Sequence, residues 1–163
     1  MAVNSQSASV TLPTDNQILI TREFEAPKEL VYEAWTTPEL VKRWWSAKRG
    51  EATVAEIDLR AGGKWRYVMV TDDGMEVAFH GEYQEVVPNE RIVSTEVYEG
   101  ILDGEANATL NTAPFEEEEG RTTLTLLIEA PSKDVRDAIV ASGMEDGLQD
   151  ALDLLEGVAD SLR

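Results

Sequence analysis

A change of hydrophobic period along the chain constrains the fold more than any other feature of the sequence. From residue 53 to about residue 130 apolar and polar side chains alternate, in short segments separated by Gly, Asp, Asn and Pro. Alternation with a period of two is typical of strands, and strands this close together pair only as an antiparallel meander. From Leu148 to Leu162 the apolar residues recur at intervals of three and four. That spacing predicts a long C-terminal helix with one buried face, and hence an α+β fold.

A first strand and two short helices are expected before this region. Residues Gln17–Phe24 alternate and are rich in β-branched side chains, as in a strand. Pro27 and Pro38 each suit the first turn of a helix, where the missing N–H has no partner to lose. The residue before Pro38 disfavours helical geometry, so the first helix ends there. The second helix is expected to carry Trp44 and Trp45.

Six further strands follow from the alternation and its turn signals. Asp72-Asp73-Gly74 is a hairpin signal, and Glu116–Gly120 is expected to form another connection. The predicted strands are Thr53–Leu59, Lys64–Thr71, Glu76–Val87, Arg91–Tyr98, Ala106–Phe115 and Arg121–Ala130.

The two ends of the chain differ in character. Residues 1–16 carry few large apolar groups, so their burial would not offset the entropy of ordering them, and we expect a flexible tail. Residues 17–163 are expected to form one domain. Ser132 is a candidate N-cap for the C-terminal helix, and Gly143 and Gly147 are expected to kink it.

The charge of the chain argues against several classes of partner. Its 32 acidic and 14 basic residues give a net charge of −18. Such a surface repels phosphate backbones and anionic lipid, so neither nucleic acid nor a membrane is an expected partner. The acidic excess fits a high-salt habitat or an acidic protein of ordinary habitat, and the sequence does not separate the two. The absence of Cys excludes disulfides, thiolate catalysis and Cys-based zinc sites.

The N-terminus has neither the basic nor the apolar region of a signal peptide. No apolar stretch approaches the ~20 residues needed to span a bilayer. A cytoplasmic location is therefore expected.

Several short motifs occur in a fixed order over residues 17–162. They are Glu25-Ala26-Pro27 with Val31–Trp35, Pro38-Glu39 with Trp44-Trp45, Gly62–Tyr67, His80–Tyr83, Val87–Val93, Gly120–Leu126 and Gly147–Leu155. In this order they resemble the heat shock protein 90 ATPase activator homologue-like family of the START-like (SRPBCC) superfamily. The resemblance implies the helix-grip fold of the birch-pollen allergens, in which a curved antiparallel sheet of about six or seven strands wraps a long C-terminal helix. The superfamily hosts lipid carriers, cyclases and hydrolases, so the resemblance favours a fold rather than an activity.

A helix lying across a bent sheet leaves a space that inward side chains line. We take the aromatic positions of the strands as inward, and the phenols of Tyr67 and Tyr83 add polar groups there. Alternation predicts which side chains face inward, but it does not predict a cavity between them. The alternative is that these side chains form a packed core. The candidate ligand-binding residues are Trp65, Tyr67, Met69, Phe79, Tyr83, Leu110, Leu124, Leu126, Met144 and Leu148, with Ile128 beside them.

Other chemistry-bearing residues are few. His80, the single histidine, alternates onto the face opposite Phe79 and Tyr83, so we expect it at the solvent and without a catalytic role. Glu116–Glu119 lacks the spacing of a calcium loop and is expected to be solvated. No metal site or cofactor is expected. Trp44 and Trp45 lie about 100° apart on a helix, so one of them is a candidate contact for a partner.

Three functions remain open. The leading hypothesis is a binding module for a small apolar or aromatic molecule between the sheet and the C-terminal helix. The second is an enzyme of the aromatase–cyclase or hydrolase kind, which we favour less and which requires at least two polar side chains converging inside the pocket. The third is a protein-interaction role, as a homodimer or a chaperone accessory. Eukaryotic co-chaperones of the family carry an additional N-terminal domain, and only about 16 residues precede the first strand here, so a chaperone partner is not expected.

Overall fold

The computed structural model describes residues 8–100 and 104–163. Over these residues one eight-stranded antiparallel sheet curves around a C-terminal helix. The strands are β1 Ser9–Thr11, β2 Gln17–Phe24, β3 Gly50–Ile57, β4 Lys64–Thr71, β5 Glu76–Val87, β6 Arg91–Tyr98, β7 Thr109–Glu118 and β8 Arg121–Glu129. The helices are α1 Lys28–Thr36, α2 Pro38–Val41, α3 Lys133–Ala141 and α4 Met144–Ser161.

The order of the strands confirms the predicted helix-grip fold. The sheet runs β1-β2-β8-β7-β6-β5-β4-β3, so β3 to β8 form the expected meander and β2 pairs with its last strand. The helices α1 and α2 carry the chain from one side of the sheet to the other. Eight strands are present in the described residues rather than the predicted six or seven, and β1 is the addition.

The strand β1 lies inside the segment that we expected to be a flexible tail. Val10 pairs with Ile20, so β1 covers the backbone groups that β2 would otherwise leave unpaired at the edge of the sheet. Ala8 is buried, and its N–H and C=O both bond to the side chain of Gln149 on α4. The polar composition of this segment gave no sign of the strand, because β1 is paired through its backbone and not through its side chains. Residues 1–7 of the predicted tail lie outside the described residues.

The main core fills one end of the concave face of the sheet. Ile18, Ile20 and Phe24 of β2 face the buried side of α4, and α1 packs alongside α4. The apolar stripe that the sequence predicts on the C-terminal helix is the buried one, with Leu152 and Leu155 at its centre. At ~1.5–3 kcal/mol for each large side chain, this stripe is a main source of stability.

The C-terminal helical region is two helices rather than one kinked helix. Ser132 is the N-cap of α3, and its hydroxyl accepts the N–H of Val135 at 3.2 Å. Gly143 then adopts φ +83°, a left-handed conformation that ends α3 and starts α4 in a new direction. Gly147 lies within α4 and does not break it.

Several boundaries differ from the sequence prediction, and β3 is Gly50–Ile57 rather than Thr53–Leu59. Helix α2 ends at Val41, so Trp44 and Trp45 lie in the turns that follow it. Strand β7 begins at Thr109 and continues to Glu118, and only Glu119 and Gly120, both with positive φ, form the turn to β8. Positive φ at both central residues is typical of a tight, two-residue hairpin turn. Because the turn needs only two residues, the glutamates before it remain in strand β7. Among the described residues, no helix combines the length and the apolar character needed to cross a membrane.

Candidate functional site

The concave face of the sheet has a closed end and an open end. At the closed end the inward side chains of β2 and β8 are buried under α1 and the second half of α4. At the other end the inward side chains of β3, β4 and β5 are mostly half-buried. We define the open end by Trp45, Tyr67, Phe79, Met144 and Leu148, which line it and remain partly accessible.

The two halves of α4 explain this difference. Between residues 144 and 150 no side chain is buried, whereas Ala151, Leu152 and Leu155 of the second half are. Arg49, in the turns after α2, donates a hydrogen bond to the Gly143 carbonyl at 3.0 Å and lies against Gly147. The start of α4 is therefore held to this loop, and its apolar side chains Met144 and Leu148 are only partly buried against the core.

Aromatic rings form the walls of the open end. Trp45 meets Tyr67 edge to face at 5.3 Å between ring centroids and meets Phe79 in the same way at 5.9 Å. Trp65 lies 4.8 Å from Tyr67, and Phe79 lies 5.1 Å from Tyr98. Edge-to-face and tilted contacts at these distances are favourable, so the rings support one another.

A glycine in β5 makes room for the indole of Trp65. Gly81 pairs with Trp65, and a Cβ on Gly81 would collide with Trp65 Nε1 and the Thr95 carbonyl oxygen. Without that atom the indole lies across β5 and donates to the Thr95 carbonyl at 3.2 Å. The concave face beside Gly81 consequently carries an aromatic ring that comes from the neighbouring strand.

Polar side chains also converge on the concave face. Asn111 pairs with Ile128 and Ser94, both of which face inward, so Asn111 and the in-phase Glu96 face inward as well. Asn111 donates its amide N–H to Glu96 Oε1 at 2.9 Å, and Thr109 donates to Asn111 Oδ1 at 3.0 Å. This chain of bonds fixes the orientation of the amide and of the carboxyl group. Burial raises the pKa of Glu96, and the bond from Asn111 partly offsets that rise.

Tyr67 lies near this carboxyl group, Tyr83 lies near Tyr67, and Tyr32 lies near Tyr83. Burial raises the pKa of Tyr67 well above its ordinary value, and nearby Tyr83 and Glu96 raise it further. Burial likewise raises the pKa of Tyr83, with a smaller contribution from Tyr32. The side chain of Tyr32 is 7% exposed, and its hydroxyl has no hydrogen-bond partner among residues 8–100 and 104–163. Burying an unpaired hydroxyl costs about 1–3 kcal/mol.

The predicted cavity residues divide between the two ends. Trp65, Tyr67, Met69, Phe79 and Tyr83 lie on the concave face, and Trp65 and Tyr83 are the buried ones among them. Met144 and Leu148, near the start of α4, are partly buried and pack against the core. Leu124, Leu126 and Ile128 are buried in the packed closed end.

The assignment of Leu110 to the interior was wrong. Leu110 pairs with Glu129 and Thr95, whereas the inward residues of β7 are those in phase with buried Phe115. Because side chains alternate strictly along a strand, Leu110 must face the convex side. An apolar side chain was taken as inward although the polar Thr109 and Asn111 hold the inward positions.

The two predicted partner-contact residues point into the protein. Trp44 is 6% exposed, stacks on Trp35 at 5.1 Å and donates to the Ala34 carbonyl at 2.9 Å. Trp45 is half-buried against Tyr67 and Phe79 at the open end. Neither indole forms an exposed apolar patch, because the chain after α2 turns back across the sheet.

The convex face carries a separate charged cluster around His80. The Nδ1 of His80 lies 2.8 Å from Glu99 Oε2, and Arg66 bonds both oxygens of Glu99 at 2.9 Å. Arg66 first and His80 second lower the pKa of Glu99 to about 2. Two shallow depressions, of about 470 and 280 Å³, flank Arg66 and His80. They lie on the opposite side of the sheet from the open end, as expected for His80.

The interior polar residues Tyr32, Glu96 and Asn111 were missed from the sequence. Tyr32 lies on helix α1, where we assigned only apolar residues to the buried face, so its phenol was not considered. Glu96 and Asn111 share the alternation phase of Ile92 and Phe115, so strict phase counting would have indicated them. Over residues 8–100 and 104–163, no group of three or more metal-ligating side chains comes together.

Comparison with known proteins agrees with this architecture. A solved Rhodobacter sphaeroides protein is 23% identical, with a TM-score of 0.87 over 95% of this chain and 99% of its own. Protein Ms6760 of Mycobacterium smegmatis is also 23% identical, with a TM-score of 0.83 over 96% and 99%. An AHSA1-like protein of Aeromonas hydrophila is 24% identical, with a TM-score of 0.68 over 88% and 93%. At these identities the likeness establishes the fold and not an activity. None of the curated proteins matches the sequence.

The family model described as Activator of Hsp90 ATPase homolog 1-like protein matches residues 25–160. This match confirms the family resemblance that the ordered motifs indicated, and the structural likeness confirms the fold. The chain therefore belongs to the Activator of Hsp90 ATPase homolog 1-like family.

Proposed function

We propose that this protein binds a small, mainly apolar or aromatic molecule at the open end of the concave face. The observation that carries the proposal is the partial exposure of inward aromatic side chains between the sheet and α4, where Tyr67 and Phe79 stay accessible. Covering exposed apolar side chains with a ligand is favourable, because it removes apolar surface from water. Ligand sites are typically concave and aromatic-lined, with a few polar groups that fix orientation.

The polar groups support the same proposal. The carboxyl of Glu96 and the phenols of Tyr67 and Tyr83 lie among the inward aromatic rings. A ligand with one polar group and an apolar body matches that distribution, because it pairs the polar atoms and covers the rings. The two depressions beside Arg66 and His80 are lined mainly by charged and polar residues, with one aromatic residue each, Tyr98 and Trp65.

The test is ligand-observed nuclear magnetic resonance with 2-phenylethanol and indole as probes of the full chain. Met144→Trp places a large ring at the open end, and we expect it to weaken probe binding at least about fivefold by occupying the space. Met75→Trp is the matched control, because Met75 is 60% exposed in the β4–β5 turn. We expect the control to bind as the wild type does. Absence of binding in the wild type, or equal loss in both variants, would contradict the proposal.

A second candidate function is an enzyme of the aromatase–cyclase or hydrolase kind. The observation that favours it is the convergence of Glu96, Asn111 and the phenols of Tyr67 and Tyr83 inside the fold. A carboxyl with a raised pKa is a suitable general acid or base when a substrate atom reaches it. Mass spectrometry of a bound aromatic ester separates the two: a binding module returns it unchanged, and an enzyme releases products that Glu96→Gln suppresses.

The protein-interaction alternative has less support from the arrangement of side chains. The family name refers to activation of the Hsp90 ATPase, and a chaperone or a second copy as partner needs an exposed apolar surface. Trp44 is in the core and Trp45 is half-covered, so the expected patch is absent from this part of the described chain. A homodimer and a cytoplasmic location stay predictions.

A further inference from the structure

The carboxyl group of Glu96 is held in one orientation inside the concave face. Asn111 bonds one of its oxygens, Oε1, and Thr109 holds the Asn111 amide so that its N–H rather than its C=O faces Glu96. The second oxygen, Oε2, takes no hydrogen bond from the described residues. A half-buried carboxylate oxygen in this position favours a group that donates a hydrogen bond or carries a positive charge.

The side chains around Glu96 are suited to a cation with an apolar body. Glu96 lies close enough to Tyr67 to raise the pKa of that phenol, and Tyr67 is in contact with Trp45 and Trp65. Aromatic faces attract ammonium groups, most strongly where water is excluded. The strand pairing places Gly81 between Trp65 and the inward row of β6, and the indole of Trp65 occupies the space that a β5 side chain would fill.

The arginines around the sheet bond other groups, and Arg49 donates to the Gly143 carbonyl at the start of α4. Arg22, the buried arginine of the concave face, is committed to Asp153 and Glu156 of α4. Arg66 bonds Glu99 on the convex side. The net charge of −18 adds a field that concentrates cations and repels anions near the protein.

We propose that the ligand of the open end is an aromatic or apolar amine whose ammonium group binds Glu96 while its body lies against Trp45, Tyr67 and Phe79. This inference rests on the proposed function, because it names the chemical class of the molecule bound there. An ammonium group pairs the free carboxylate oxygen, and it favours the ionised form of Glu96 that burial otherwise disfavours.

The experiment compares 2-phenylethylamine with 2-phenylethanol, which share the ring and chain and differ in the terminal group. Dissociation constants are measured by calorimetry near neutral pH, for wild type, Glu96→Gln and Glu82→Gln. Glu82 is the matched control, because it is exposed on the opposite face of β5 and its replacement removes the same charge. Gln at position 96 retains the oxygen that accepts the Asn111 bond, so the local packing is preserved. Thermal melts confirm that each variant is folded.

We expect the wild type to bind the amine at least about tenfold more tightly than the alcohol, since hydrogen bonds to charged groups are the stronger class. Glu96→Gln should reduce that ratio to within about twofold, whereas Glu82→Gln should keep most of it. Raising the salt concentration should weaken amine binding and leave the alcohol unaffected.

Two results would overturn the inference. If the wild type binds the two compounds equally, or if Glu82→Gln lowers the ratio as far as Glu96→Gln does, the amine is not recognised by Glu96, and the proposed function stands alone. If neither compound binds the wild type, the proposed function fails and this inference fails with it.

Discussion

At the scale of the residue, Arg22 links the sheet to the C-terminal helix. Its side chain is 1% exposed on the inward face of β2, and it donates to Asp153 at 2.8 Å and to Glu156 at 3.1 Å. Glu156 also accepts the backbone N–H of Glu25 at 2.8 Å. A buried guanidinium without its carboxylates would be strongly destabilising, so these two residues matter although they lie off the apolar stripe of α4.

Glu156→Ala should lower the free energy of unfolding by about 2 kcal/mol, because it removes one of two carboxylates from a buried arginine and one bond to the backbone. The matched control is Asp160→Ala on the same helix, where the partner Arg163 is exposed. We expect a loss below ~0.5 kcal/mol for that exposed pair. Urea melts give both values, and equal midpoints would mean that the buried network contributes nothing.

Glu99 gives the fold a defined response to acid. Arg66 and His80 lower its pKa from an ordinary 4.5 to about 2. Since the folded-state pKa is the lower one, this stability is fully present above about pH 4.5 and is lost as the pH falls towards 2. Urea melts of wild type and Glu99→Gln between pH 3 and pH 7 should show a gap that narrows below pH 4.5. A gap of constant size would show that the ion pair does not act through proton binding.

At the scale of the element, the break between α3 and α4 creates the open end. Gly143 has φ +83°, and the helix that follows it is not buried until Ala151. The sequence indicated a disturbance at Gly143 and Gly147 but not its size, because a glycine in a helical pattern is compatible with a kink, a cap or no change. The backbone conformation that separates these outcomes depends on tertiary contacts, such as the Arg49 bond to Gly143.

Two glycine substitutions in this region should have opposite effects. Gly143→Ala should destabilise the fold by about 1 kcal/mol, because an L side chain at positive φ is strained. Gly157→Ala should stabilise it by about 0.5–1 kcal/mol, because Gly157 is inside α4 with open space around its Cβ position. Thermal melts of the two variants test this directly. A stabilising Gly143→Ala would contradict the left-handed break.

At the scale of the whole molecule, the sequence predicted the fold better than the site. The order of elements follows from periodicity, turn residues and caps, which are local properties of the chain. The β1 pairing was missed because it depends on the free edge of β2, a property that exists only after the sheet forms. The interior Glu96 and Asn111 were missed for a similar reason, since a polar residue inside the fold is acceptable only when a distant strand supplies its partner.

The central claim is that the open end of the concave face binds a small aromatic molecule. The most direct measurement is a nuclear magnetic resonance titration of the isotope-labelled protein with 2-phenylethylamine, followed at backbone amides and aromatic side chains. The account predicts saturable shifts at Trp45, Tyr67, Phe79 and Glu96 and in the first half of α4, with little change around Arg66 and His80 on the convex face. Shifts confined to the convex face, or a titration that does not saturate, would contradict it.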